Sequence, residues 1–395
     1  MSSSSSPPIK LAILDDYAGI ALAHFQRLTS RLPVRLELHT FPETLDIHNP
    51  DEHDALVQRL QPYNIISSMR ERTRFPRSVL EKLPNLHLLL TTGGRNAAID
   101  TEACKDLGIR VVGTGPKPNA VPGYDSTNEQ TWALILGLLR NVVEGDTRLK
   151  TTSDKWQTDD SQHKHNDHGP DHGLGLGQGL DNDRFNPALV STLAGKTLGI
   201  LGLGRLGTQA AVTGALGFGM RVLAWSSSLT QAKADSLAAS RGLPAGSFEV
   251  ASSKDELFRR ADVLSVHYVL SERSRGIVGE RELSLMKPTA ILVNTSRGPL
   301  VTESDLVDVL EKGAIRGAAL DCFDTEPLPK DSPWRKDNYW GKEGRSRLLL
   351  SPHLGYADLE TMHHWYDVQA SVVDEWLARG GQNEVAAIKS GPVIV

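Results

Sequence analysis

A chain of 395 residues exceeds what one ordinary hydrophobic core organises, so two domains of roughly 150 to 200 residues each are expected. Its composition, 39% hydrophobic with 35 Gly and 21 Pro, suits a globular α/β protein rich in turns, and a formal charge of −5 gives no reason to expect nucleic acid or an anionic membrane as partner. Cys104 and Cys322 are the only cysteines, which excludes a disulfide framework and a cysteine-rich zinc site and fits a reducing compartment.

Residues 1–8 lack both the charged start and the apolar core of a signal peptide, and no apolar run approaches about 18 residues. They read as a disordered tail on a soluble, cytoplasmic protein. Short apolar or alternating runs at 11–14, 34–38, 64–66, 86–90 and 109–112 read as strands, with helix-length stretches at 51–60, 78–83 and 101–107 between them. Such alternation implies a parallel sheet covered on both faces, so residues 9 to about 115 form one small α/β unit. Turn-rich 113–118, with Pro122 and Gly123, marks a connection. A long helix over 128–148, carrying Trp132, Leu134, Ile135, Leu138 and Leu139, then crosses into a second domain.

Residues 151–190 interrupt this pattern with His163, His165, His168 and His172 among five aspartates (Asp154, Asp159, Asp160, Asp167 and Asp171), followed by a glycine-rich run over 173–179. A composition so polar buries little apolar surface. A metal-binding tract is one reading. A solvated insertion is the one favoured, because no second pair at helical spacing fixes a site. The run 173–179 imitates a nucleotide loop, but no strand precedes it.

From Lys196 the alternation resumes, with strands at 198–201, 221–225, 263–267, 290–294, 315–320 and 348–351 and helices at 208–216, 231–239, 253–260 and 303–312. Thr302 is the expected N-cap of the last of these and Gly313 its C-terminal stop. A final helix over 361–377 follows the last strand, and can pack back on the first domain and make it discontinuous. The domains expected are 9–125 with 356–395, and 126–355, the latter carrying the 151–190 insertion.

Gly202, Gly204 and Gly207 fit G-x-G-x-x-G between a strand and a helix. The first glycine allows the turn, the second lets a pyrophosphate approach the backbone, the third packs helix on strand, and the anion sits on free N–H groups at the helix start. That makes 126–355 a dinucleotide-binding domain. Ligands of an open parallel sheet bind outside the carboxyl ends of its strands. There the chain supplies Arg297, Glu326 and His353 after three successive strands. Arginine offers a planar fork of donors to a carboxylate and polarises a neighbouring carbonyl. Histidine exchanges a proton near neutral pH, and a carboxylate on its other nitrogen holds the ring and favours the imidazolium. The trio suits hydride transfer at a 2-hydroxy or 2-oxo acid.

Four stretches then carry a specific resemblance: Leu198-Gly-Ile-Leu-Gly-Leu-Gly-Arg-Leu-Gly207, Val293-Asn-Thr-Ser-Arg-Gly298, Ala319-Leu-Asp-Cys-Phe-Asp-Thr-Glu-Pro-Leu-Pro329 and Ser351-Pro-His-Leu-Gly355. Together they resemble the successive signatures of D-isomer-specific 2-hydroxyacid dehydrogenases, with a match spanning 9 to about 380 apart from the insertion. The resemblance implies a fold of two Rossmann- or flavodoxin-like parallel-sheet domains. It implies Arg297 for the substrate carboxylate and carbonyl, His353 as acid/base and Glu326 as its orienting partner. On the coenzyme side it implies Gly202, Gly204, Arg205, Leu206 and Gly207 at the pyrophosphate, Asp321 near the nicotinamide carboxamide, and Thr295 near its ribose. His267 and Val269 would line the adenosine side, with Thr127 a further coenzyme candidate. Leu90-Thr-Thr-Gly-Gly-Arg-Asn-Ala-Ala-Ile-Asp100 resembles the loop whose backbone receives the carboxylate, making Gly94, Arg95 and Asn96 substrate candidates; Arg70 is a further candidate, with surface charge as the favoured reading.

One departure concerns the coenzyme. Where an acidic residue usually binds the adenosine ribose, this chain has Ser226, followed by Ser227 and Ser228. No carboxylate repels a 2′-phosphate there, which favours NADP and leaves NAD as the alternative; Lys233 is a possible partner for the phosphate. The expected activity is reversible reduction of a small 2-oxo acid to the D-2-hydroxy acid, in a cleft between the domains. The expected assembly is a homodimer through the nucleotide domain. A dinucleotide-sensing corepressor on the same fold is the alternative from another class, and formate dehydrogenases are a nearer rival, which carry an amide partner for the histidine where this chain has Glu326.

Overall fold

The computed structural model describes residues 7–30, 35–47, 49–94, 96–118, 120–121, 124–151, 189–379 and 394. Residues 1–6 of the expected 1–8 tail, most of the 151–190 insertion with its glycine run, Val34, Arg95 and residues 380–381 lie outside them. The chain divides into two compact units, Met1–Val121 with Asp358–Val395, and Pro122–Ala357.

In the first unit, strands β1 (Ile9–Leu14), β2 (Leu36–Phe41), β3 (Ile65–Ser68), β4 (Leu88–Thr91) and β5 (Arg110–Val112) form a parallel sheet in the order β2-β1-β3-β4-β5. Every residue of β3 and β4 is buried, which is why they read as unbroken apolar runs rather than as alternation. Ala12, Leu14, Ile66, Leu89 and Val111 pack in one cluster with Leu56 and Leu60 of α2 (Pro50–Leu60), Val79 and Leu80 of α3 (Arg77–Leu80), and Ala103 of α4 (Thr101–Asp106). The starts of these helices are chemically marked: Asn49 accepts from Asp51 N with Pro50 at the first turn, and Asp100 accepts from Ala103 N. The C-terminal helix α12 (Leu359–Ala378) also belongs to this unit. Its Gln369 accepts from the Ser67 hydroxyl at 2.5 Å, and its Asp367 and His363 bond both ring nitrogens of His24 on α1 (Ala21–Gln26) at 2.9 Å each.

The second unit holds a seven-stranded parallel sheet, β6 (Thr197–Leu201), β7 (Arg221–Trp225), β8 (Phe248–Val250), β9 (Val263–Val266), β10 (Ile291–Asn294), β11 (Gly317–Leu320) and β12 (Arg347–Leu350), ordered β12-β11-β10-β9-β6-β7-β8. Strand residues alternate between two cores. Leu198, Ile200, Val222, Ile291 and Val293 pack with Trp132 and Ile135 of α5 (Ser126–Leu139), Ala210 of α7 (Arg205–Phe218) and Ala234 of α8 (Gln231–Ala239). Leu201, Leu223, Leu264, Val266, Leu292 and Leu320 pack with Phe258 of α9 (Lys254–Arg260), Leu283 of α10 (Glu280–Ser284) and Leu306 of α11 (Glu303–Glu311). This is a doubly wound nucleotide-binding order, in which the direction of winding reverses between β6 and β9. Among the described residues no helix is long and apolar enough to cross a membrane.

The local differences from the sequence reading have physical causes. The helix expected over 128–148 is two, α5 and α6 (Val142–Thr151), separated at Asn141 with φ 54. There the Asn141 side chain accepts from the buried guanidinium of Arg347, 206 residues away, and α6 buries none of its own residues. Helix α7 starts at Arg205 rather than 208, directly on the glycine turn. Thr302 stands at the N-cap of α11 without making the side-chain cap, whereas Gly313 takes the left-handed φ of 61 that a stop requires. Helix α1, held from below by the Asp16 carboxylate on the N–H groups of Ile20 and Ala21, and the three-residue edge strand β8 carried too little pattern to be read.

Candidate active site

The carboxyl edge of the second sheet collects the chemistry. Between β6 and α7, Gly202 has φ 101, and a Cβ there would lie 2.8 Å from His267 O. At Gly207 a Cβ would lie 2.1 Å from Gly202 O, so helix and strand meet at a distance only glycine allows. At Gly204 a Cβ would meet nothing within 4 Å. The N-terminus of α7 therefore opens on free space, with no side chain at Gly204 to cap it, and Arg205 and Leu206 form its first turn. The Arg205 guanidinium is paired with Asp125, whose other oxygen accepts from Thr127 N at 3.0 Å. These residues suit a dinucleotide's pyrophosphate, the second glycine leaving the backbone exposed to it.

Past β10, Asn294 shapes the turn: its Oδ1 accepts from Ser296 N at 3.0 Å and its Nδ2 donates to Arg297 O at 2.9 Å. Ser296 donates to Tyr268 O, and Thr295, buried, shares a 2.7 Å hydrogen bond with Thr131 of α5. A Cβ at Gly298 would lie 2.0 Å from Phe323 C, so the β10 and β11 exits are in backbone contact. This brings Arg297 close enough to Glu326 for its charge to act on the carboxylate.

After β12, His353 takes φ 57, a left-handed conformation costly for a side chain with a Cβ and held here by its surroundings. Asp321, almost wholly buried at the end of β11, supplies the hold. One oxygen accepts from the Ser351 hydroxyl at 2.6 Å and from Leu354 N at 2.9 Å, the other from Gly355 N at 2.9 Å. Gln130 donates to Ser351 at 2.7 Å, and both Ser126 and Thr127 donate to Gly355 O. His353 Nδ1 lies 2.6 Å from Glu326 Oε2, while Glu326 Oε1 accepts from Phe323 N at 2.9 Å. Burial pushes the Glu326 carboxyl upward, but the hydrogen bond and charge of His353, the Phe323 N–H and Arg297 outweigh it and hold the carboxyl below the ordinary glutamate range. The carboxylate is therefore ionised at neutral pH, Nδ1 is engaged, and the ring presents Nε2. Cys322 is buried beside this group and burial pushes its thiol up, so it is inert as a nucleophile.

The remaining sequence candidates fall in three places. Ser226 and Ser227 follow β7; Val269 is exposed beyond β9; the ring of His267 bonds Ser265 at 2.8 Å, with its other nitrogen buried and unpartnered. Gly94, Asn96 and Arg70 lie together in the first unit, and Arg95 is outside the described residues. There Asn96 donates to Arg70 O and Thr91 Oγ1, and the Arg70 guanidinium lies across Gly93, three-quarters shielded, rather than standing as plain surface charge. The triple grip of Asp321, the Asp125 pairing and the Tyr268 hydroxyl on Ser227 were missed from the sequence; only Asp125, an acid directly before a helix, carried a signal. Among the described residues no three His, Cys, Asp or Glu side chains group as a metal site.

A glycine turn opening a helix, with an arginine and a histidine–carboxylate pair at the same sheet edge, suits the chemistry of a dinucleotide-dependent oxidoreductase. The comparisons give the family: residues 132–355 match the D-isomer specific 2-hydroxyacid dehydrogenase, NAD binding domain, and the chain belongs to that family. It is 32% identical over 321 residues to a glyoxylate reductase of Aeropyrum pernix, covering 81% of each chain. It is 27% identical to a hydroxypyruvate reductase of Blautia hydrogenotrophica, covering 84% of this chain and 88% of the relative. A solved phosphoglycerate oxidoreductase from Vibrio cholerae superposes with a TM-score of 0.72 at 30% identity, over 94% of this chain and 99% of the other.

Proposed function

We propose that the protein interconverts a small 2-oxo acid and the D-2-hydroxy acid, with Arg297, His353 and Glu326 as its working residues. The observation carrying this reading is the 2.6 Å contact of His353 Nδ1 with an ionised Glu326, which leaves Nε2 to carry the exchangeable proton. A reduced nicotinamide coenzyme, NADPH or NADH, would be held at the turn of Gly202, Gly204 and Gly207 and would supply a hydride to the 2-oxo carbon. As the C=O π bond opens, the carbonyl oxygen takes the proton from His353 Nε2. The ionised Glu326 holds the ring by Nδ1, so the proton is exchanged at Nε2. Arg297 binds the carboxylate with its planar fork and draws electron density toward the carbonyl oxygen, a charge interaction that strengthens as the alkoxide develops. Asp321 works by holding the backbone that carries His353 in its left-handed turn, besides its proposed place beside the nicotinamide. In the first unit, the backbone of Gly94, Arg95 and Asn96, with Arg70, is assigned to the substrate carboxylate on the resemblance of that loop.

Names among the relatives support glyoxylate and hydroxypyruvate as the first substrates to try. The test is a panel of 2-oxo acids with NADPH and NADH, followed by chiral analysis of the product. Coenzyme oxidation with at least one small 2-oxo acid, giving the D-alcohol, is expected. Tight dinucleotide binding without turnover on any of them would remove the enzyme in favour of a sensing role.

A further inference from the structure

The coenzyme's identity turns on the end of β7, where the chain reads Ser226-Ser-Ser228. This strand end adjoins the glycine turn, since Gly202 N donates to Trp225 O at 2.9 Å. In a dinucleotide fold the adenosine ribose comes to this position, and a carboxylate there both chelates the ribose diol and repels a 2′-phosphate. Here no carboxylate follows the strand. Instead Tyr268, leaving β9, reaches across to it: its hydroxyl lies 3.0 Å from Ser227 Oγ and accepts from Ser227 N at 3.3 Å. On α8, Lys233 donates to Ser228 O at 3.1 Å and makes no ion pair among the described residues. None of the hydrogen bonds of Ser226, Ser227, Ser228, Lys233 or Tyr268 goes to a carboxylate among the described residues. Ser227, Ser228 and Lys233 are exposed, Ser226 partly so. The strand end is therefore a cluster of hydroxyl donors beside one uncompensated ammonium, which suits a dianion far better than a neutral diol.

We infer that this site takes a 2′-phosphorylated adenosine, and that Tyr268 and Lys233 set the specificity, the tyrosine by fixing Ser227 and presenting its own hydroxyl, the lysine by its charge. The inference rests on the dehydrogenase reading and narrows its coenzyme to NADP(H). Neither residue is needed for the chemical step. Tyr268→Phe keeps the ring packing, and Lys233→Met changes an exposed side chain, so both variants remain folded.

The experiment is equilibrium titration of the full chain with NADPH and with NADH by quenching of tryptophan fluorescence, with 2′-AMP and 5′-AMP as competitors. NADPH is expected to bind roughly tenfold tighter than NADH or better, 2′-AMP to compete better than 5′-AMP, and the NADPH preference to weaken as salt rises. K233M should reduce NADPH affinity about tenfold and Y268F about threefold to tenfold, each leaving NADH affinity unchanged. Ser226→Asp should move the preference toward NADH. Equal affinities in the natural protein, or an unchanged NADPH-to-NADH ratio in both Y268F and K233M, would overturn the inference while leaving the dehydrogenase reading intact. Failure to bind either dinucleotide would remove both.

Discussion

The two sheets are built on one principle, parallel strands buried on both faces, yet their carboxyl edges use polar residues differently. In the first unit they are largely consumed locally: Asp15, in a left-handed turn after β1, accepts from the hydroxyls of Thr44 and Thr73, and Asn96 is spent on Arg70 O and Thr91. In the second, the buried acid Asp321 is spent in the same way, but on the turn that presents His353, while Glu326 and Arg297 stand beside it. Equal satisfaction of hydrogen bonds thus serves closure in one sheet and presentation in the other. Substitutions at the two edges should therefore fail in different observables.

The largest effect is expected at Arg297. Replacing it with alanine should lower kcat/KM for 2-oxo acids by about 10³-fold or more while leaving the coenzyme Kd nearly unchanged, because the lost interactions are with the substrate carboxylate and with the charge developing on the carbonyl oxygen. Steady-state kinetics beside a fluorescence titration separate the two, and undiminished turnover would remove Arg297 from the mechanism. Next come the glycines. Gly207→Ala forces a Cβ to 2.1 Å from a backbone oxygen and should cost about 3 kcal/mol or more in chemical unfolding. Gly204→Ala points its Cβ into open space, so stability should hold within about 0.5 kcal/mol while dinucleotide affinity falls roughly tenfold. If Gly204→Ala bound coenzyme normally, the helix terminus would not be the pyrophosphate site.

These glycines and the Arg297, Glu326, His353 trio were legible because each follows a short strand, fully buried in β6, β10 and β11 and partly so in β12, whose apolar run ends sharply where a loop of fixed residue types begins. Both sheets followed from the same signal. What could not be read was set by partners distant in sequence. The break at Asn141 depends on Arg347, and the Tyr268 hydroxyl reaches Ser227 across 41 residues. Asp321 offers one acid to three donors some 30 positions away. Nothing local in 128–148 distinguishes one helix from two, and Tyr268 alone reads as a core aromatic at a strand end.

The smallest effects sharpen the comparison most, because a titratable group at each edge, the buried Asp15 and the partly buried His267, gives its unit an opposite pH slope. Burial drives His267 down to about 4 from 6.5, so between those values the unfolded chain binds a proton that the native chain does not. Its contribution is complete above about pH 6.5 and is lost as pH falls toward 4, by roughly 2 kcal/mol for a part-exposed ring. Asp15 shifts the other way, since burial raises its carboxyl against the pull of Thr44, Thr73 and Arg72. There the native state binds the proton more readily, so stability falls as pH rises through the folded value. Hydrogen exchange followed peptide by peptide resolves the units: β9 should lose protection between pH 6.5 and 4.5 where β1 does not, and His267→Gln should flatten that slope. Asp15→Asn should leave it unchanged, together with coenzyme affinity, and abolish only the weak opposite trend in β1. Parallel slopes in β1 and β9 would mean that the two edges share one electrostatic environment, and the division between closure and presentation would fail.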